Sequence, residues 1–280
     1  MSKKTVITGA TTGVGKATAI ALARHGHELF LLGRNQNKLQ ETQQEIQNAL
    51  PQARVHCIVA DLCDLASVKA AADEISTHTD GIDVLINNAG GIFGSFYRTN
   101  DGLEEAFQVN HLSHYLLTRK LFPLLEKSGA GRIISVSSEA HKMGKIDFDD
   151  LSATKNFNGW RQYGATKMMN ILFAFRLHHL YYKRNGIASF ALHPGVVRTK
   201  FGANNGGYLS FFSWLPFLKT PEQGAETSIF LATEPMENLT SGSYYKDKKI
   251  ASPHPKTLDL SYQEALWVQS KVILKRKGFL

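Results

Sequence analysis

A doubly wound α/β fold with a parallel sheet is what this sequence predicts, on three observations. Short apolar runs alternate along the chain with longer stretches of helical period. Several runs are apolar at every position, Leu29-Phe30-Leu31-Leu32 most plainly, as strands covered on both faces should be. A glycine-rich turn from Gly9 to Gly15 joins the first run to the first helical stretch. Alternation of this kind puts helices on both faces of a parallel sheet, and right-handed crossovers make double winding the default. A chain of 280 residues can bury one substantial core. With no internal repeat, low-complexity tract or Pro/Gly/Ser-rich linker, the expectation is a single dinucleotide-binding domain of Rossmann type over residues 1–280.

In chain order, the predicted strands are Thr5–Thr8, Glu28–Leu32, Val55–Ala60, Val84–Ile86, Arg132–Val136 and Ala188–Leu192. Amphipathic helices are expected between them near 13–25, 35–49, 65–78, 103–127 and 161–185. Two segments break the rhythm, 139–160 after the fifth strand and 200–220 after the sixth. Both follow strand C-termini, where open α/β sheets bind ligands, so they are expected to shape a substrate pocket. Within the second, Tyr208 to Leu218 is strongly apolar but too short and broken to span a bilayer. It reads as a substrate lid, with a membrane-surface contact or a subunit contact in a homo-oligomer as the other readings.

Composition narrows the function classes. With 43% hydrophobic and 20% charged residues the chain is an ordinary globular one, and no run reaches the length of a membrane span. Met1-Ser2-Lys3-Lys4 leads straight into a strand with no signal-peptide h-region, so a cytoplasmic location is expected. Cys57 and Cys63 form neither a disulfide framework nor a zinc-ligand pattern, and free thiols are the expectation. The net charge of +8 could answer to nucleic acid, an anionic membrane surface or a phosphorylated ligand. No nucleic-acid recognition motif accompanies it, and the Lys271, Lys275, Arg276 and Lys277 cluster reads as a solvated face. His111 and His114 could share a helix face but lack a third ligand, so no metal is expected.

The first turn carries the cofactor signal. Gly9 permits the tight exit from the strand, Gly13 a close approach of backbone to a pyrophosphate, and Gly15 the packing of helix on sheet. Gly9, Thr11, Thr12, Gly13 and Val14 are the expected cradle. The spacing is G-x-x-x-G-x-G, unlike the more familiar G-x-G-x-x-G. At the end of the second strand an acidic residue would bind a ribose 2′-hydroxyl and favour NAD. Arg34 stands there instead, with Lys38 one helical turn on, and the pair suits a 2′-phosphate. NADP(H) is therefore expected over NAD(H). Asp61, followed by Leu62, ends the third strand and could accept from an adenine amine or cap the next helix. Asp64 is better placed as that cap, which leaves Asp61 for the ligand.

Tyr163-Gly164-Ala165-Thr166-Lys167 is the most informative stretch. Tyr163 and Lys167, four apart on a helix, share one face. A phenol titrates near ~10, too high for a base at neutral pH. A neighbouring ammonium is expected to lower that value toward useful acid/base chemistry. Alone, the pair is common in helices; its weight comes from the residues around it.

Those residues stand in a telling order: Thr8–Gly15, Asn87-Asn88-Ala89-Gly90, Asn110, Ser138, Tyr163–Lys167 and Pro194-Gly195. In this the chain resembles the short-chain dehydrogenase/reductase family over nearly its whole length. It looks most like the retinol-dehydrogenase-like branch through Arg132–His141, Ala191–Thr199, Lys219–Thr227 and Ser241–Tyr245. The resemblance implies an enzyme that moves a hydride between nicotinamide and a carbonyl/alcohol pair on a small, apolar substrate. It implies that Tyr163 transfers the proton, that Ser138 binds the same substrate oxygen, and that Lys167 also holds the nicotinamide ribose. Asn110 would support a water-linked proton path to Lys167. Asn88, Ala89 and Gly90 would line the adenosine ribose, with Asn87 bracing the sheet. Pro194, Gly195, Val197 and Thr199 would close over the nicotinamide. His141, close behind Ser138, could touch substrate. A dinucleotide-binding redox sensor without turnover is the alternative, against which the complete Asn110–Ser138–Tyr163–Lys167 set argues.

Overall fold

The computed structural model describes residues 2–197 and 218–280. Its elements are β1 (Lys4–Thr8), α1 (Gly13–Arg24), β2 (Glu28–Gly33), α2 (Gln36–Ala49), β3 (Val55–Val59), α3 (Leu65–His78) and β4 (Val84–Asn87). There follow α4 (Glu105–Phe107), α5 (Ser113–Lys127), β5 (Arg132–Val136), α6 (Gly159–Asn185) and β6 (Ala188–His193). The last are α7 (Pro221–Thr233), β7 (Ser243–Lys246), β8 (Lys249–Ile250) and α8 (Leu260–Arg276). The strands form one sheet in the order β3-β2-β1-β4-β5-β6-β7-β8. β1 to β7 run parallel, and β8 pairs antiparallel with β7. The order reverses between β1 and β4, which puts a ligand crevice beyond the C-terminal ends of those two strands.

The central strands are buried on both sides because they feed two cores. Val6, Phe30, Leu85 and Ile133 point to the face covered by α3, α5, α6 and α8, where Leu116, Leu172 and Trp267 meet them. Ile7, Leu31, Ile86 and Ile134 point to the other, against Leu22 and Leu231 of α1 and α7. Alternation along a strand therefore becomes alternation between cores. Asp64 caps α3 by accepting from Ala66 and Ser67 N–H, as its position in the sequence suggests. α6 starts at Gly159, two residues before its expected start, because Asn158 accepts from Arg161 N and caps it. Gly186 in the left-handed region ends it.

Three features differ from the sequence reading. The stretch expected as one helix over 103–127 is α4, a π-helical turn at Gln108–Leu112 and then α5. Segment 139–160 is not wholly irregular, since Glu139–Met143 form a 3₁₀ helix. The chain beyond 220 holds α7, β7, β8 and α8, none of which the apolar runs had marked. α7 had a legible start: Thr220 and Gln223 form a reciprocal capping box, with Pro221 in the first turn. The expected lid at 208–218 lies outside the described residues apart from Leu218, as does Thr199. No helix among the described residues is long and apolar enough to cross a membrane.

Candidate active site

The turn after β1 is shaped by glycine. Gly9 (φ +68°) and Gly13 (φ +54°) take left-handed conformations. Gly9 N donates to Leu32 O at 2.9 Å, which fastens the turn to β2. A Cβ on Gly15 would lie 2.3 Å from Gly9 O and 2.5 Å from Asn88 Nδ2. Gly15→Ala is accordingly expected to cost about 1–3 kcal/mol of stability by overpacking and to weaken NADPH binding. Thermal melting and NADPH fluorescence titration would check this, and wild-type values in both would show slack in the loop. Thr12 precedes α1 in extended conformation and makes no side-chain cap, so the α1 N-terminus presents backbone N–H groups and a positive dipole end. A phosphate fits that cradle. The Thr11 methyl packs toward Gly33, and Val14 toward Gly224 of α7.

Arg34 and Lys38 are exposed just beyond β2. Among the described residues neither joins an ion pair. The Arg34 charge acts across the strand ends on Cys63 and Glu105. Asp61 Oδ1 accepts from Cys63 N at 2.9 Å, and the Leu62 carbonyl accepts from the Ser113 hydroxyl at 2.7 Å. Both cysteines are free. Asn87 braces the sheet by donating to Thr118 Oγ1 at 3.1 Å. Asn88 is a brace too, since its Nδ2 donates to Thr8 O at 2.8 Å. The Thr8 hydroxyl, unremarked in the sequence, accepts from Asn88 and Ala89 N–H, each at 2.9 Å. Together these bonds tie β4 to β1 where the crevice opens.

Farther along the crevice the expected catalytic residues converge. β5 ends at Val136, and Ser137 donates to Lys167 O at 2.6 Å, which makes it structural. Ser138, the next residue, hydrogen-bonds Tyr163 on α6. Lys167 Nζ lies 5.6 Å from the Tyr163 ring centroid and donates to Val136 O at 3.1 Å. Gly164 explains how the Ser138 strap gets so close: a Cβ there would lie 2.8 Å from Ala140 O. Asn110 sits in the π-turn, an irregularity frequent at functional sites. Its amide accepts from Gly91 N at 2.8 Å and donates to Gly91 O at 2.9 Å and Thr166 Oγ1 at 3.0 Å. It thereby clamps the β4–α4 loop to α6. A Cβ on Gly90 would meet Asn110 Oδ1 at 2.8 Å and Lys167 Nζ at 3.2 Å, so these groups meet at a bare backbone.

The electrostatics differ from expectation. Burial pushes the Tyr163 phenol up to about 12, with the Ser138 hydrogen bond pulling the other way. Burial pushes the Lys167 ammonium down to about 8. The direction for the phenol is opposite to the expectation from the Tyr163–Lys167 spacing, because burial withdraws the ring from water and so disfavours the phenolate. The two discounted histidines are buried with partners of their own. His111 Nε2 meets Ser270 Oγ at 3.0 Å, and His114 bridges Thr8 Oγ1 (2.9 Å) and Asn110 O (3.2 Å). Beyond the crevice, Gly195 (φ +94°) lies against the Lys219 stem, which a Cβ would meet at 2.5 Å. Pro194 precedes it half-buried, and Val197 bridges Lys219 and faces Gly224.

Known proteins share these features. The family model described as short chain dehydrogenase matches residues 3–206. Human Retinol dehydrogenase 13 is 37% identical, with 96% of this chain and 83% of that one aligned. Human Retinol dehydrogenase 14 is 38% identical, with 97% and 86% aligned. A solved short-chain dehydrogenase from Sphingobium yanoikuyae, in complex with NADPH, matches with a TM-score of 0.65 and 25% identity over 81% of this chain and 82% of that one.

Proposed function

This chain belongs to the short-chain dehydrogenase/reductase family, in its retinol-dehydrogenase-like branch, and from that premise we propose a specific reaction. It is an oxidoreductase of CH–OH groups, and in our reading one catalytic domain over 1–280 interconverts an alcohol and a carbonyl with NADP(H). The observation that carries the reading is the meeting of Ser138 and Tyr163 beside Lys167. Bound nicotinamide would supply or accept the hydride.

The chain's own residues manage position and protons. In reduction the Tyr163 hydroxyl donates its proton to the carbonyl oxygen, while Ser138 hydrogen-bonds that oxygen and stabilises its growing charge. In oxidation Tyr163 accepts the alcohol proton. Lys167 would hold the nicotinamide ribose, and its Nζ stands 5.6 Å from the Tyr163 ring. Asn110 acts as a positioning residue through Gly91 and Thr166. Gly9, Thr11, Thr12, Gly13 and Val14 at the α1 N-terminus would hold the pyrophosphate. Asp61 and Leu62 would bind the adenine, Asn88, Ala89 and Gly90 would line the ribose, and Pro194, Gly195 and Val197 would cover the nicotinamide, a role also assigned to Thr199, which lies outside the described residues. Arg34, with Lys38, would hold the 2′-phosphate, which is the basis for preferring NADP(H).

An apolar substrate fits an aromatic side chain beside Tyr163: Trp160 stands edge-on to its ring at 6.3 Å. Retinol dehydrogenases 13 and 14, by name, act on such a molecule. Two free cysteines suit the reducing cytoplasm, where we place the protein. The test is NADPH consumption across a panel of retinoid, steroid and simple aromatic aldehydes and ketones. Turnover with apolar members is expected; NADPH binding without turnover on any member would instead favour a redox sensor.

A further inference from the structure

The strap that carries Ser138 is held from behind by a histidine. His141 is fully buried in the 3₁₀ helix Glu139–Met143. Its Nδ1 lies 2.6 Å from the Ser138 carbonyl oxygen, and the main-chain N–H of His254 reaches its Nε2 at 3.0 Å. A peptide N–H can only donate, so Nε2 holds the lone pair. The proton of the neutral ring is then on Nδ1 and is donated to Ser138. Both nitrogens face main chain, so the ring does not reach substrate, contrary to the expectation from its nearness in sequence.

The strap is anchored on two sides. It meets α6 through Gly144 and Gly164, where a Cβ on Gly144 would lie 2.5 Å from Gly164 O, and through the Ser137 and Ser138 side chains, which bond Lys167 O and Tyr163. On the other side His141 joins the strap to the turn before α8 and packs edge-on against Tyr244 of β7 at 5.0 Å. The Tyr244 hydroxyl in turn donates to Glu139 Oε1 at 2.9 Å. Glu139 also pairs with Lys142 and Lys246.

We propose that His141 is a positioning residue that sets Ser138 against Tyr163 by tying the Ser138 carbonyl to the His254 main chain. The proposal rests on the reading of Ser138 and Tyr163 as the reacting pair. The charged and titratable groups facing the ring are Glu139 and Lys142 from its own helix, Tyr244 from β7, and His254. Burial keeps the ring below the usual imidazole range despite the Ser138 bond and Glu139, in keeping with the neutral tautomer.

The deciding comparison is His254→Pro against His254→Ala. Both lose the imidazole, but only proline removes the N–H, and His254 already has a proline-compatible φ of −58°. The Pro variant is expected to have a kcat on the order of 10-fold below the Ala variant, with the KM for NADPH within about 2-fold. The alkaline limb of its alcohol-oxidation profile should move to higher pH, because the Ser138 bond is what lowers the Tyr163 phenol. His141→Phe, which keeps the ring packing on Tyr244, should show the same pattern, and His141→Asn should recover part of kcat by restoring the donor. Equal kcat and pH profiles in the Pro and Ala variants would overturn the tether. So would a loss of kcat with an unmoved pH profile and a parallel loss of NADPH affinity, which mark a merely structural role. Ser138→Ala separates the two levels. Undiminished kcat there overturns the reacting pair and the tether with it, whereas an impaired Ser138→Ala beside a normal His254→Pro overturns the tether alone.

Discussion

Tyr163→Phe is expected to lower turnover by about 10²–10⁴-fold, the contribution of a positioned proton-transfer group, while NADPH affinity stays near that of the unmodified protein. The substitution removes one oxygen from a buried ring and keeps the ring's packing. Binding should survive because the phosphate cradle and Arg34 lie at the other end of the crevice. Steady-state kinetics with fluorescence titration of NADPH would check it, and full activity in Tyr163→Phe would remove the mechanism. The pH dependence has a definite sign. With the phenol held near about 12, the protonated donor dominates at neutral pH, so carbonyl reduction should be flat there and fall only as the phenol ionises. Alcohol oxidation needs the ionised form, whose fraction grows about tenfold per pH unit below the pKa, so it should rise with pH. An oxidation rate unchanged between neutral and alkaline pH would argue against Tyr163 as the titrating base.

Arg34→Asp is expected to reverse the cofactor preference. Hydrogen bonds to charged groups contribute about 1.5–3 kcal/mol, which corresponds to roughly 10- to 100-fold in NADPH affinity. Charge reversal adds repulsion of the 2′-phosphate. The new carboxylate can accept from the 2′-hydroxyl of NADH, so NADH affinity should hold or improve. Titrating both cofactors decides the matter: equal losses would make Arg34 a structural residue of the β2–α2 turn.

Much of this was legible because it is local. Each of the six expected strands forms within a residue or so of its predicted bounds, since a fully apolar run of that length has few other fates in a two-faced sheet. Asp64, Gly9, Gly13 and Gly15 announced their roles through short-range geometry: an N-cap bond, a positive φ, a Cβ that would strike backbone. β7 and β8 were not legible, being only four and two residues long and stabilised as strands by pairing with β6 and with each other. The π-turn was equally hidden, because one extra residue in a helical turn leaves the apolar period almost unchanged.

By itself, then, the sequence determined the order of strands and helices as far as β6, the glycine turn, the basic residues beyond β2 and the placing of Tyr163 and Lys167 on one helix face, with Ser138 implied by resemblance. These are properties of neighbouring residues and of fixed spacings. The tertiary structure alone decided what those groups experience. α6 lies between the sheet and α8, and that burial raises the Tyr163 phenol and lowers the Lys167 ammonium, where the bare spacing had suggested mutual help. It also decided that Asn88 and Asn110 act as clamps, and that His141 reaches His254, 113 residues away, to hold the Ser138 strap. Desolvation and long-range hydrogen bonds depend on which distant segments pack together, and no local pattern encodes that.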